Sequence, residues 1–432
     1  MAKEETMNFF KPSLLIILAS MNLSVFATDD WSDDNWEEDW GTEETPSQWQ
    51  WSGFLEAGYG SRLQSDSAIG RDKTLSEIRA RVELEYQVDN WRFDLEVDGL
   101  YDDLLHKSEI QTRVASISFS PLNNMDIKAG RQVLTWGTGD YLFLNDLFAK
   151  DWQSYFSGRD DEYLKASSNS IKTSWFADSF SVDLVWTPRF TPDHTLNGDR
   201  FSYFSPATGQ SSAVHLNPDE PAGSSWSGRL STNHNSVEYS LYGYMGYWTT
   251  PLGIKANGRM TYPELNVWGA SLRMPVGNGL FNSEIAWYDS REDRSGDNPQ
   301  TANSQVRWLA GYEQEIGINL TAAVQYYLEW TQDYDQLKSN SATPDFEQDE
   351  YRQLLTMRLT KLTHQQKLTW SLFSFWSWTD KDTYLKPSVS WRINDQWTVA
   401  TGANLFYGRQ KHSFFGQHKD NSNAWLRVRW NY

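Results

Sequence analysis

The stretch SEIRARVELEYQV, from Ser76 to Val88, alternates charged or polar with apolar side chains without a break. Glu77 and Arg79 belong to one phase, and Ile78 belongs to the other. Because successive side chains of a β-strand point to opposite faces, this pattern predicts a strand with one apolar and one charged face. The charged face carries too many ions to pack into a protein core, so we expect it to face water.

A second strand follows after the two-residue turn Asp89–Asn90. WRFDLEVDGLY, from Trp91 to Tyr101, repeats the alternation, with Arg92 on its charged face. The two strands predict a hairpin. Tyr86 and Trp91 lie next to the short turn, where aromatic side chains of a membrane barrel form one interfacial belt.

The same pattern continues to the C-terminus. Strands are predicted near 49–61, 74–89, 91–103, 109–120, 125–137, 167–177, 179–189, 225–234, 236–249, 262–274, 279–291, 304–315, 317–332, 350–363, 365–380, 383–393, 396–409 and 420–432. Short and long connections alternate between them, with one short exception at 381–382. Hydrocarbon cannot hydrogen-bond to an open sheet edge, so a sheet in a membrane must close. We therefore predict an all-β fold: a transmembrane antiparallel up-and-down β-barrel of about 18 strands, with 16 as the alternative.

The composition fits this fold without requiring it. The 432 residues include 23 Trp, 21 Tyr and 21 Phe, yet the mean hydropathy is −0.65. After the N-terminal segment no stretch is long and apolar enough for a transmembrane helix. An exported carbohydrate-binding β protein would have a similar composition. Cysteine is absent, which excludes disulfides, a thiolate metal site and a cysteine nucleophile.

The N-terminal region predicts export. Residues 1–27 contain an apolar run that ends in small residues, typical of a secretory signal peptide. Residues 28–48 form an acidic, Trp-containing segment that we expect to be a periplasmic tail and a candidate docking site for a periplasmic partner. The barrel then covers 49–432. The expected location is the outer membrane of a Gram-negative bacterium.

The third long connection, 138–166, combines apolar and acidic residues. A loop that only met water would not need the apolar ones, so we expect it to fold inward and narrow the pore. Its candidate acidic residues are Asp140, Asp146, Asp151, Asp160 and Asp161. The candidate basic pore-lining residues are Arg79, Arg81, Arg92, Arg113, Lys128 and Arg131. Arg131 lies in the apolar phase of its strand, so it faces the lumen only if Gly130 forms a bulge, and its direction is open. Opposite charges across a constriction would orient water and select permeating solutes.

The segment AGRQVLTWGTGD, from Ala129 to Asp140, resembles the Gly-Arg-Gln-x-x-x-aromatic-Gly segment of Gram-negative barrels related to the alginate-export and porin-like families. The matching positions are Gly130, Arg131, Gln132, Trp136 and Gly137. In those families the segment leads from a strand into a pore-occluding loop. The resemblance therefore implies a porin. The mixed charges of the predicted lumen and the net charge of −19 depart from the basic lumen of alginate exporters.

The chain ends on WLRVRWNY, from Trp425 to Tyr432. The alternate residues Leu426, Val428, Trp430 and Tyr432 look like the C-terminal signal read by the barrel-assembly machinery. Arg427 and Arg429 occupy the opposite phase and should face the lumen. We expect this strand to pair with the first strand and close the barrel.

The expected function is passive diffusion of small hydrophilic solutes, with a preference for organic anions or acidic sugars because arginine pairs with carboxylates and sulfonates. The expected partners are outer-membrane lipid and lipopolysaccharide, the assembly machinery and the solutes, without nucleic acid. No catalytic residue, metal site or cofactor is expected, because the seven histidines form no metal-binding pattern. The alternatives are an outer-membrane barrel hydrolase and an exported carbohydrate-binding β protein.

Overall fold

The computed structural model describes residues 48–432, so the predicted signal peptide and the acidic segment up to residue 47 lie outside the described residues. The strands are β1 (Trp49–Arg62), β2 (Lys73–Val88), β3 (Trp91–Asp102), β4 (Lys107–Leu122), β5 (Met125–Val133), β6 (Ser167–Phe176), β7 (Ser181–Thr187), β8 (Tyr203–Ser205), β9 (Gln210–Ser212), β10 (Ser225–His234), β11 (Val237–Tyr247), β12 (Gly253–Ile254), β13 (Met260–Thr261), β14 (Glu264–Val276), β15 (Gly279–Ser290), β16 (Gln305–Gly317), β17 (Leu320–Thr331), β18 (Tyr351–Thr363), β19 (Leu368–Ser377), β20 (Asp382–Arg392), β21 (Trp397–Gly408) and β22 (Asn423–Asn431). The helices are α1 (Trp152–Ser157) and α2 (Tyr334–Asn340), and the 3₁₀ turns are Asp161–Leu164, Pro344–Phe346 and Gly416–Asn421.

Eighteen of these strands form one sheet that closes on itself. Each strand of this sheet pairs antiparallel with the next, and β22 pairs with β1. In the closing pair, Glu56 lies opposite Arg429 and Tyr59 lies opposite Leu426. The predicted barrel and the strand number of 18 are thus confirmed. The remaining four short strands form two small hairpins, β8–β9 and β12–β13, within long loops.

The connections alternate in length as predicted. Short turns such as Asp89–Asn90 lie at one rim, and long loops such as 188–224 lie at the other, which we call the outer rim. In outer-membrane barrels the long loops are extracellular. No helix in residues 48–432 is long and apolar enough to cross a membrane.

Side chains of each strand alternate between the lumen and the outer surface. On β2, Ile78 is exposed whereas Arg79 is buried, and on β22, Leu426 is exposed whereas Arg427 is buried. An arginine that faced lipid at the midplane would cost about 2–4 kcal/mol, which fixes this register.

The segment 134–166, which we call the inward segment, lies inside the barrel and includes α1. It leaves β5 after Val133, four residues earlier than the predicted strand end at 137. Tyr155 and Phe156 of α1 pack against Tyr384 of β20 in an apolar cluster inside the lumen. The main apolar core therefore lies between the inward segment and the barrel wall. The predicted inward folding of the third long loop is confirmed.

Candidate functional site: the constriction

The inward segment begins with an anchor on β15. Glu284 is almost fully buried and accepts hydrogen bonds from the backbone N–H of Thr138 and from Nδ2 of Asn145, the latter at 3.0 Å. Nδ2 of Asn282 donates to the carbonyl oxygen of Thr138 at 3.0 Å. These contacts draw the start of the segment toward β15, which is six strands away from β5 around the sheet.

On the other side, the segment covers a group of paired charges on β2 and β3. We call this group the sealed wall; its members are Glu77, Arg79, Arg81, Asp98 and Asp102. Arg79 Nη1 and Arg81 Nε each lie 2.6 Å from a carboxylate oxygen of Asp98, and all three side chains are 1–2% exposed. Burial of this kind is tolerated only when each charge has a partner.

Residues of the inward segment complete the sealed wall. The Tyr163 hydroxyl accepts from Arg81 Nη2 at 2.7 Å and lies 3.1 Å from Asp98, to which it donates. Arg159 Nη2 lies 2.6 Å from Glu77. The two predicted pore residues Arg79 and Arg81 are therefore inside the barrel, but they do not line open water.

Two other predicted basic residues lie nearer the short-turn rim. Arg92 Nε lies 2.7 Å from Asp94, and Lys128 Nζ lies 3.1 Å from the same carboxylate. Both face the lumen and both remain partly or largely accessible. Each is paired with at least one carboxylate.

Arg113 reaches the lumen because of a β-bulge. Glu96 pairs with Val114 and Val97 pairs with Thr112, so Arg113 has no opposite residue on β3. A bulge inserts one residue and re-aims its side chain. Arg113 Nη2 donates to the carbonyl oxygen of Glu162 at 2.6 Å.

Arg131 differs from the other predicted basic residues. It pairs with Ala115 on one side and with Asn169 on the other, in the phase of the outward-facing Ile171. Its Nε donates to the carbonyl oxygen of Thr112 at 2.6 Å. The register therefore separates Arg131 from the lumen side chains, although the sequence grouped it with them.

The side of the inward segment that faces β16 and β18 has a different environment. Arg358 Nε lies 2.7 Å from Asp140 of the inward segment, and Arg358 Nη2 lies 2.6 Å from Glu313 of β16. We call Asp140, Glu313 and Arg358 the open wall, because all three remain 28–44% exposed. Only Asp140 was predicted, although the alternation in LLTMRLTKL could have identified Arg358 as a lumen residue.

The other predicted acidic residues have separate partners. Asp161 pairs with Lys386 and accepts from the Tyr141 hydroxyl at 2.6 Å. Asp160 lies 3.0 Å from Arg427. The remaining two are structural: Asp146 pairs with Lys150 at 2.9 Å, and Asp151 caps α1 by accepting from the Ser154 N–H at 2.8 Å.

The exposure of these pairs is asymmetric. Lys386 is 7% exposed and its partner Asp161 is 49% exposed. Arg358 is 28% exposed, against 44% for Glu313, and Arg427 is more buried than Asp160. In these three pairs the carboxylate is the more exposed member, whereas Arg92 and Lys128 are both more exposed than Asp94.

In residues 48–432 no group of three or more His, Cys, Asp or Glu side chains could hold a metal ion. His194 lies 3.6 Å from Asp151, but the Ser154 hydroxyl donates to Asp151 at 2.7 Å rather than pairing with His194. This trio therefore lacks the direct nucleophile–base contact of a hydrolase.

Neither a protein-family model nor a curated protein matches the sequence. Solved structures do match. Acinetobacter baumannii OccAB4 has a TM-score of 0.54 at 9% identity, over 90% of this chain and 100% of that chain. Acinetobacter baumannii OccAB3 has a TM-score of 0.53 at 10% identity, over 89% and 99%. Pseudomonas aeruginosa OccD3 (OpdP) has a TM-score of 0.53 at 12% identity, over 89% and 91%.

These similarities concern the fold. The protein has the closed, 18-stranded antiparallel architecture of outer-membrane porin structures, at low sequence identity. The function of this barrel has to be argued from its own side chains.

Proposed function

We propose that this barrel is a passive channel for small hydrophilic solutes, and that the solutes pass along the open wall. The observation that carries this proposal is the difference in exposure across the inward segment. Arg79, Arg81 and Asp98 are 1–2% exposed on one side, whereas Asp140, Glu313 and Arg358 are 28–44% exposed on the other. Water and solutes reach charged side chains only where these remain accessible.

The charge preference follows from the same contacts. The sequence favoured organic anions, but the five inward-facing basic residues of that hypothesis, Arg79, Arg81, Arg92, Arg113 and Lys128, each lie within 4 Å of a carboxylate. Glu313, Asp161 and Asp160 are more exposed than their partners Arg358, Lys386 and Arg427, although Arg427 also pairs with the buried Glu56. Exposed carboxylates along a water-filled path attract cations, so we propose a weak preference for cationic over anionic solutes.

Planar-bilayer recordings test both parts of the proposal. Refolded protein should give discrete conductance steps, and under a potassium chloride gradient the reversal potential should have the sign of cation selectivity. Anion selectivity would restore the hypothesis drawn from the sequence. Absence of conductance would contradict the channel itself.

The expected partners remain predictions. Outer-membrane lipid and lipopolysaccharide would contact the outward-facing apolar residues, and Leu426, Val428, Trp430 and Tyr432 would be read by the assembly machinery. Leu426 and Tyr432 are exposed on the outer face, where such a reader could reach them. Deletion of the acidic segment tests the proposed periplasmic partner of residues 28–48, because loss of that partner should change assembly or transport.

A further inference from the structure

A cavity of about 600 Å³ lies between the inward segment and the loops of the outer rim. Its lining is rich in aromatic residues from the inward segment, the wall and the outer loops: Phe143, Trp152, Trp248, Tyr288, Phe346 and Phe414. We call it the outer cavity. Its volume lies within the range of roughly 300–1,000 Å³ that is usual for small-molecule sites.

The charged groups of its wall have ionic or hydrogen-bond partners, and Glu347 among them accepts from the Ser341 hydroxyl. Arg307 Nε lies 3.3 Å from Glu329, whose carboxylate accepts from the Tyr327 hydroxyl at 2.6 Å. Arg352 Nε lies 2.7 Å from Asp380. A charged ligand would have to compete with these partners and lose its own hydration, so the wall favours an uncharged one.

The charges on the floor are also paired. Lys150 Nζ lies 2.9 Å from Asp146. Asp193 accepts from the Lys150 N–H at 2.9 Å and from Trp152 Nε1 at 3.1 Å. Lys150 thus has a carboxylate partner, and the Asp193 carboxylate is satisfied by hydrogen bonds from neutral groups.

Asn303, which lines the cavity, has an acceptor without a protein partner. Asn303 is 3% exposed, and its Nδ2 donates to the carbonyl oxygen of Gln332 at 2.9 Å. Its Oδ1 is buried without a hydrogen bond, so a ligand reaches it only when the Asn303 side chain turns toward the cavity. An unpaired buried acceptor costs about 1–3 kcal/mol, which a donor on a bound molecule would recover after that turn.

We infer that the outer cavity binds an uncharged aromatic compound of two or three rings that carries a hydroxyl or amine donor. The aromatic walls would stack on the rings, and Oδ1 of Asn303 would accept from the donor. The role of the outer cavity as an entry site for a permeating compound rests on the proposed channel function. Binding of the compound can be measured separately from conduction.

The test uses the full barrel in lipid nanodiscs and equilibrium dialysis with three probes: 2-naphthol, 2-methoxynaphthalene and 2-naphthoate. We expect saturable binding of 2-naphthol above that of empty nanodiscs, and at least tenfold weaker binding of the other two probes. The methyl ether lacks the donor, and the carboxylate adds a charge.

The double variant Phe346→Ala/Phe414→Ala removes two rings from the outer loops and leaves the strands intact. It should weaken 2-naphthol binding at least tenfold. Phe180→Ala is the matched control, because Phe180 is exposed to a similar extent at a short turn, outside the cavity; it should bind as the wild type does.

Three results would overturn the inference: no saturable binding of 2-naphthol, unchanged binding in the double variant, or tighter binding of 2-naphthoate than of 2-naphthol. A barrel that binds 2-naphthol but conducts no ions would contradict the channel and leave the site standing. A barrel that conducts ions but does not bind 2-naphthol would contradict the binding site and leave the channel standing.

Discussion

The sealed wall and the open wall contain the same kinds of side chain but have different surroundings. Asp98 holds two arginines beneath Tyr163, and none of these groups meets bulk water. Arg358 also joins two carboxylates, but all three groups remain partly exposed. Charged side chains in a barrel lumen therefore do not by themselves indicate a permeation path. A buried ion pair stabilises the structure, whereas an exposed ion pair can contact the solute.

The largest effect should come from breaking the sealed wall. Asp98→Ala leaves Arg79 and Arg81 buried without their shared partner, which should lower the free energy of unfolding by about 3–5 kcal/mol. Urea unfolding of refolded protein, followed by cold gel mobility, measures it. Glu313→Ala is the control on the open wall and should lower it by less than about 1 kcal/mol. Equal losses in the two variants would remove the distinction between the walls.

A second, smaller effect should depend on pH and concerns the loop that holds the inward segment. Burial raises the pKa of Asp193 to about 6, above its ordinary value of 3.8. The folded state therefore binds this proton more tightly than the unfolded state. The stabilising contribution is fully present below the unfolded pKa and is lost as pH rises through about 6.

Asp193→Asn should remove this dependence. The wild type should lose up to about 3 kcal/mol relative to the variant between pH 4 and pH 8, a value that follows from the size of the shift. Urea midpoints at several pH values measure it. The neighbouring Asp151 carboxylate raises the pKa of His194, and His194→Gln is the control. If Asp193→Asn retains the wild-type pH profile, Asp193 is not responsible.

The smallest change in stability should come from Arg358→Gln, on the open wall. The loss should be about 0–1 kcal/mol, because the ion pairs are partly exposed. Conductance should rise and cation selectivity should increase, because Asp140 and Glu313 lose the cation between them. Arg273→Gln, at an exposed position near the short-turn rim, serves as the control. A decrease in cation selectivity in Arg358→Gln would contradict the assignment.

The sequence predicted the barrel and its 18 strands because lipid imposes a strict alternation, and it predicted the inward loop because that loop is rich in apolar residues. Arg79 and Ile78 could be assigned to opposite faces from the pattern alone. The pattern could not show that Tyr163 and Arg159 would cover Arg79 and Arg81, because that contact depends on the path of the inward segment through the lumen.

Bulges and missing partners explain the remaining differences. Between Val97 and Glu96 the register shifts by one residue, so a count along β4 does not by itself give the direction of Arg113. Arg358 was overlooked although its strand alternates regularly, because its partner Asp140 is far away in sequence. The ion pair between Arg358 and Asp140 can be identified only when the position of the inward segment in the lumen is known.

Thiol accessibility tests the central claim most directly, since the chain contains no cysteine. Glu313→Cys places a thiol on the open wall, and Ser157→Cys places one at the fully buried end of α1. In a conducting bilayer, (2-sulfonatoethyl) methanethiosulfonate should change the current through Glu313→Cys and leave Ser157→Cys unaffected. Modification of Ser157→Cys with an unreactive Glu313→Cys would contradict a permeation path along the open wall.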